Sequence, residues 1–161
     1  MKKMIPYSVY LPAEYHDKIK DLARNTIVFT TQGDVDSAVK SLLKKYPHAK
    51  MKQFTPENND LGYTGYNIVI PTKSGVAAEV QVNTAAMLLA KEGEAFAPLV
   101  GEKLYRQVVT TPGIPPLGMG HKLYEEWRGL DDPESPKAKK IASVSRRYYS
   151  TVRDLFLGRQ K

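Results

Sequence analysis

No cysteine occurs anywhere in the 161 residues. That absence excludes disulfides, zinc–thiolate centres and thiol nucleophiles, and it frees the fold from the redox state of its surroundings. No run of apolar residues is long enough to cross a bilayer. The opening stretch Met1-Lys2-Lys3-Met4-Ile5-Pro6 is basic, but Pro6, Ser8 and Pro12 interrupt any apolar signal-peptide core. Familiar chemical signatures are missing too. There is no Walker-type glycine-lysine loop, no GxGxxG and no HExxH. The three histidines, His16, His48 and His121, lack metal-ligand spacing.

What is present describes one folded domain spanning 1–161. Hydrophobic residues make up 42% and charged residues 25%, ordinary globular usage that argues against a disordered segment. The formal net charge of +7 favours anionic partners: nucleotides, nucleic acid or an acidic protein. Ten tyrosines supply rings that stack on bases or pack half-buried, and packing is the commoner use.

Along the chain, residues 1–12 read as extended and 13–20 as a short helix. Asn25 to Thr31 is rich in β-branched residues and predicts a strand. Asp34 reads as the N-cap of a helix carrying Val35, Val39, Leu42 and Tyr46 at helical spacing, stopped by Pro47. A second strand is expected over 49–55. A hairpin is expected over 66–70 and 76–82, with Lys73-Ser74-Gly75 as its turn. From Ala85 the pattern turns helical, with breaks near Gly93 or Pro98, a Gly/Pro loop over 110–120, and a helix over 121–128. After a polar linker at 131–136, a last helix has Ile141, Val144, Tyr148, Val152 and Leu155 as its apolar stripe. The order predicts an α+β fold: a mixed β-sheet with helices packed on one face.

Three segments carry residues suited to chemistry. In the strand over 76–83, alternation puts Glu79, Gln81 and Asn83 on one face and Val76, Ala78, Val80 and Val82 on the other. A carboxylate beside two amides makes a cradle for a hydroxyl group, although such a row also suits a solvated face. Gly62-Tyr-Thr-Gly-Tyr-Asn67 allows close approach of a ligand to backbone and leaves Tyr63 at a strand entrance, as platform or as packing residue. Asp21 and Arg24 flank the first strand, where an aspartate could hold Mg²⁺ and an arginine a phosphate, or where the two form a surface ion pair with neighbours.

Taken in order, these blocks resemble the synthetase domain of RelA/SpoT-type alarmone enzymes. Lys20-Asp-Leu-Ala-Arg-Asn-Thr26 is similar to the family's D-x-x-G-x-R strand entrance. Gly62-Tyr-Thr-Gly-Tyr-Asn67 is similar to G-Y-x-S-x-H, and Glu79-Val-Gln-Val-Asn-Thr84 to E-I-Q-I-R-T. A weaker block, His121-Lys-Leu-Tyr124, is similar to E-H-K-x-x-Y-K. Asn67, Asn83 and Gly120 stand where the family pattern has histidine, arginine and an acidic residue. Of the family's early Arg-x-Lys-Ser loop only Lys2 and Lys3 are candidates.

The resemblance implies an alarmone-synthetase-like fold and transfer of the β,γ-pyrophosphate of ATP to the ribose 3′-hydroxyl of a purine nucleotide, with Mg²⁺. It implies Glu79 and Asp21 as catalytic and metal-binding groups. Tyr63, Gln81, Asn67 and His121 would then bind the acceptor, and Arg24, Lys50, Lys52 and Lys122 would meet phosphate or adenine. Asn-Thr after Glu-Val-Gln is most similar to the interbacterial toxin branch that makes (p)ppApp. That branch implies the toxin domain of a longer secreted protein, acting in a target cell's cytoplasm and neutralised by a cognate, acidic immunity protein. The alternatives are (p)ppGpp synthesis, tRNA 3′-end pyrophosphorylation and a non-catalytic nucleotide-binding module. No membrane partner is expected.

Overall fold

The computed structural model describes residues 23–72, 75 and 77–157. The expected extended segment 1–12, the helix 13–20, Asp21 and the Lys73-Ser74 part of the turn lie outside the described residues.

Four strands form one mixed sheet in the order β1-β4-β3-β2. They are β1 (Ala23–Phe29), β2 (Lys50–Phe54), β3 (Gly65–Pro71) and β4 (Ala77–Thr84). β1 runs parallel to β4, and the β2–β3 and β3–β4 pairs are antiparallel. β1 begins two residues earlier than the β-branched run suggests, because pairing with β4 recruits Ala23 and Arg24 into the ladder. Neither has strong strand propensity, and a paired neighbour overrides such weak preferences.

Helix α1 (Gln32–Lys45) covers one sheet face. Its cap is Thr31, not Asp34: Asp34 N donates to Thr31 Oγ1 at 3.1 Å, and that hydroxyl donates to Asp34 Oδ2 at 2.7 Å. Thr31-Gln-Gly-Asp34 works as a variant of the capping box, with the aspartate at the third helical position facing the dipole's positive end. Val35 and Val39 pack on Ile68, Ile70 and Val82. Each such burial contributes about 1.5–3 kcal/mol. Lys44 and Lys45 occupy the last turn, and the helix stops before Pro47.

A helical lobe packs against the end of the other face. It contains α2 (Ala85–Glu92), a 3₁₀ turn (Glu94–Phe96), α3 (Ala97–Val100), α4 (Glu102–Val109), α5 (Met119–Arg128) and α6 (Pro136–Leu157). Helices therefore meet both faces, not one as expected, because Val28 and Tyr63 from the second face pack into the lobe's core. The first helix breaks at Gly93, as its composition suggests. The buried stripe of α6 differs from the expected one. Val144 is 44% exposed, while Ala138, Ile141, Ala142, Ser145, Tyr148, Tyr149 and Val152 are buried. A hydroxyl and a second tyrosine replace Val144 because each faces polar backbone or aromatic neighbours described below. Among the described residues, no helix is long and apolar enough to cross a membrane.

Register aligns the second sheet face in rows. Arg24 pairs with Glu79, which pairs with Val69, which pairs with Lys50. The next row is Thr26, Gln81, Asn67 and Lys52. The alternation read from sequence thus gathers a carboxylate, two amides and three cations on one face.

Candidate active site

Glu79 lies at the centre of this face. It is only 8% exposed, although the face beyond it is open enough to leave Arg24 half-exposed. Three donors meet its Oε1. Arg24 Nε approaches to 3.1 Å, Gln81 Nε2 donates at 3.2 Å, and Asn67 Nδ2 donates at 3.5 Å. Charge-assisted bonds of this kind hold a carboxylate in place. The arrangement excludes a merely solvated polar row, because Glu79 and Asn83 are buried.

Tyr63 sits one row further along, at the loop that leads into β3. Its hydroxyl accepts a 2.7 Å bond from Asn83 Nδ2, and its ring is half-buried. Phe54 and Tyr149 contact the ring in edge arrangements with centroids at 5.8 and 5.6 Å. Lys91 Nζ lies 5.4 Å from the ring centroid and also pairs with Glu92 at 2.8 Å. Burial raises the Tyr63 hydroxyl to about 12, against a smaller lowering by the Asn83 bond. Gly62 is required beside it: its φ is +75°, and a Cβ there would lie 2.9 Å from Arg146 Cα.

The remaining expected residues are less closely grouped. Lys52 reaches along β2 to stand 4.7 Å from the Phe54 ring centroid, and Lys50 is exposed one row away. His121 is half-exposed on α5, with Nδ1 3.8 Å from Glu92 and Nε2 3.6 Å from Glu125. It connects with Tyr63 only through Glu92 and Lys91. Lys122 is exposed beside it. The fold therefore gathers Arg24, Glu79, Gln81 and Asn67, places Lys50, Lys52 and Tyr63 along the same face, and keeps His121 and Lys122 on the lobe.

Sequence reading gave no role to Phe54, Lys91 or Tyr149, and it placed Asn83 in the cradle with Glu79 and Gln81 without its bond to Tyr63. For Asn83 the signal was its parity with Glu79. The others come from separate elements, and only tertiary packing brings them to Tyr63.

A separate cavity of about 300 Å³ lies at the other end of the sheet, lined in part by Asp36, Gln53, Tyr66 and Arg153. Three of its polar groups bond one another: the Tyr66 hydroxyl donates to Asp36 Oδ1 at 3.0 Å and accepts from Gln53 Nε2 at 2.9 Å. Glu79 does not line it, so the chemistry is assigned to the sheet face.

No family model matches the chain. A curated protein from Pseudomonas aeruginosa (strain UCBPP-PA14), the (p)ppApp synthetase toxin Tas1, is 46% identical over 137 residues, or 84% of this chain. The chain spans 30% of that relative's length. Among solved structures, the complex of the type VI effector Tas1 with its immunity protein matches with a TM-score of 0.77 and 43% identity. That match covers 86% of this chain and 69% of the solved one. With this identity, coverage and shared fold, this chain belongs to the RelA/SpoT-type alarmone synthetase family, on the toxin branch that includes Tas1.

Proposed function

We propose that this domain transfers the β,γ-pyrophosphate of ATP to the ribose 3′-hydroxyl of an adenine nucleotide, producing (p)ppApp. The observation that carries this reading is the Glu79 carboxylate, held on the sheet face by Arg24, Gln81 and Asn67, in a chain 46% identical to a (p)ppApp synthetase toxin. The 3′ oxygen forms a bond to the β-phosphorus, the α,β bond breaks, and AMP leaves. The hydroxyl proton goes to Glu79. Such a reaction needs alignment and charge neutralisation more than covalent help.

The chain's own groups divide the work. Glu79 orients the acceptor hydroxyl and takes its proton, while Gln81 and Asn67 hold that carboxylate and offer amides to the ribose. Tyr63 presents its ring to the acceptor base. Arg24, Lys50 and Lys52 offset phosphate charge along the sheet, and His121 and Lys122 approach from the lobe. Synthetases of this family use Mg²⁺, a metal that commonly takes one or two carboxylates, with substrate phosphates and waters completing its shell, and Glu79 is the carboxylate that the described face offers. Glu79 and Asp21 would hold it. It would supply neutralisation of the triphosphate charge. As a secreted effector acting in a target cell's cytoplasm, the domain would be blocked by a cognate immunity protein, with an acidic surface suited to its charge of +7.

The test incubates the domain with Mg²⁺ and ATP, adding AMP, ADP, GDP, GTP or tRNA in turn, and resolves products by anion exchange and mass spectrometry. The expected result is an adenine nucleotide heavier by one pyrophosphate with matching AMP release. No product with any acceptor would sink the reading.

A further inference from the structure

Asn83 is 3% exposed and spends its whole side chain at the end of the cradle. Nδ2 donates to the Tyr63 hydroxyl at 2.7 Å and to the Thr64 carbonyl at 2.9 Å. Oδ1 accepts from Thr84 N at 2.8 Å. One amide thus joins the end of β4, the backbone of the motif loop at Thr64 and the Tyr63 hydroxyl. Gly65 leaves room for it, since a Cβ there would stand 2.6 Å from Asn83 Nδ2 and 3.2 Å from the Tyr63 hydroxyl. A larger or charged side chain at 83 could not satisfy all three partners at these distances.

We propose that Asn83 is a positioning residue for the acceptor: by tethering the Tyr63 hydroxyl it fixes the ring as a preformed platform for the purine. This rests on the pyrophosphokinase reading above. Phe54 and Tyr149 limit the ring from its edges, and among the described residues the Asn83 bond is what fixes its hydroxyl end. A ring fixed before binding loses little freedom when a base stacks on it. An untethered ring would lose that freedom at the moment of binding. The Asn83–Tyr63 bond is the link through which the effect on the acceptor passes, and Tyr63→Phe cuts it while leaving the Asn83 bonds to Thr64 and Thr84 in place.

Tyr63→Phe is the sharpest variant. It keeps the ring and its aromatic contacts and removes only the tethered oxygen, and Asn83 retains the Thr64 carbonyl. With Mg²⁺, saturating ATP and ADP as the varied acceptor, Tyr63→Phe is expected to raise the ADP KM about three- to tenfold, the cost of one side chain released to move. The ATP KM and kcat should stay within about twofold. Asn83→Ala should reproduce this split, and the double variant should be no worse than the more affected single one, because both changes cut the same bond. An unchanged ADP KM in Tyr63→Phe overturns the assignment, as does an equal rise for ATP and ADP, or losses that add in the double variant. Should Asn83→Ala fail to fold, the KM split of Tyr63→Phe decides alone. A wild-type domain that transfers nothing to any acceptor overturns the reading beneath the assignment and the assignment with it; an active wild type with an unaffected Tyr63→Phe overturns the assignment only.

Discussion

In the proposed reaction, Glu79 combines two requirements that usually conflict. A general base needs a charged carboxylate within reach of substrate, and burial penalises charge. The conflict is resolved by convergence: Arg24 reaches the carboxylate's Oε1 from its own row on β1, and Gln81 and Asn67 reach the same oxygen from the next row, on β4 and β3. Glu79→Gln keeps the volume and exchanges the charge for an amide, so the ladder and the core beneath it should survive. The expected outcome is a fall in kcat of about 10²–10⁴-fold, the usual contribution of a positioned proton acceptor. Circular dichroism and urea denaturation should show the variant folded. A folded Glu79→Gln enzyme with full activity would mean that another group takes the hydroxyl proton.

At the scale of elements, α6 holds the loop that delivers Tyr63. Three consecutive carbonyls are bound from this helix: Arg146 Nε donates to Asp60 O at 2.7 Å, Ser145 Oγ to Leu61 O at 2.8 Å, and Arg153 Nη1 to Gly62 O at 2.6 Å. Residues 145, 146 and 153 lie on one side of a helix, two turns apart at most, so one rigid element fixes a loop that has no ladder of its own. Ser145 is fully buried. Ser145→Ala strands the Leu61 carbonyl without a partner and should destabilise the fold by about 1–3 kcal/mol, read from the urea midpoint. Arg153 also feels burial, which lowers its affinity for the proton, against opposing attraction from Asp154 and Glu57. Helix α5 shows the same dependence on α6 from the other side. A Cβ on Gly120 would collide with the Tyr149 hydroxyl and ring. In an exposed helix, Gly→Ala stabilises by about 1 kcal/mol. Here Gly120→Ala should instead destabilise by about 1–3 kcal/mol through overpacking, and an unchanged urea midpoint would show that Tyr149 can move aside. The contact also accounts for glycine where the family pattern has an acidic residue.

For the whole molecule, what the sequence made legible is what depends on short-range periodicity. Two-residue alternation placed Glu79, Gln81 and Asn83 together and Val80 and Val82 against α1, and helical spacing found Val35 and Val39. The α6 stripe was misread at Val144 because Ser145 and Tyr149 are buried for bonds and ring contacts that no local pattern encodes. The cluster around Tyr63 was invisible for the same reason, drawing Phe54, Lys91 and Tyr149 from three distant segments. That cluster gives the domain a testable response to alkali. Burial pushes the hydroxyls of Tyr63 and Tyr148 up to about 12, and that of Tyr149 higher still, from an ordinary value near 10. Below pH 10 these groups are protonated in folded and unfolded chains alike, so their full contribution to stability is present. Between pH 10 and 12 the unfolded chain releases protons that the folded chain retains, so unfolding gains and stability falls as pH rises. The melting temperature should therefore decline steadily above pH 10. Absorbance at 295 nm should show a late group of tyrosines ionising together with the loss of folded structure by circular dichroism. In urea, with the chain unfolded, that late group should join the rest near pH 10. If every tyrosine ionises near pH 10 while the fold persists, the three rings do not form an enclosed cluster around Tyr63.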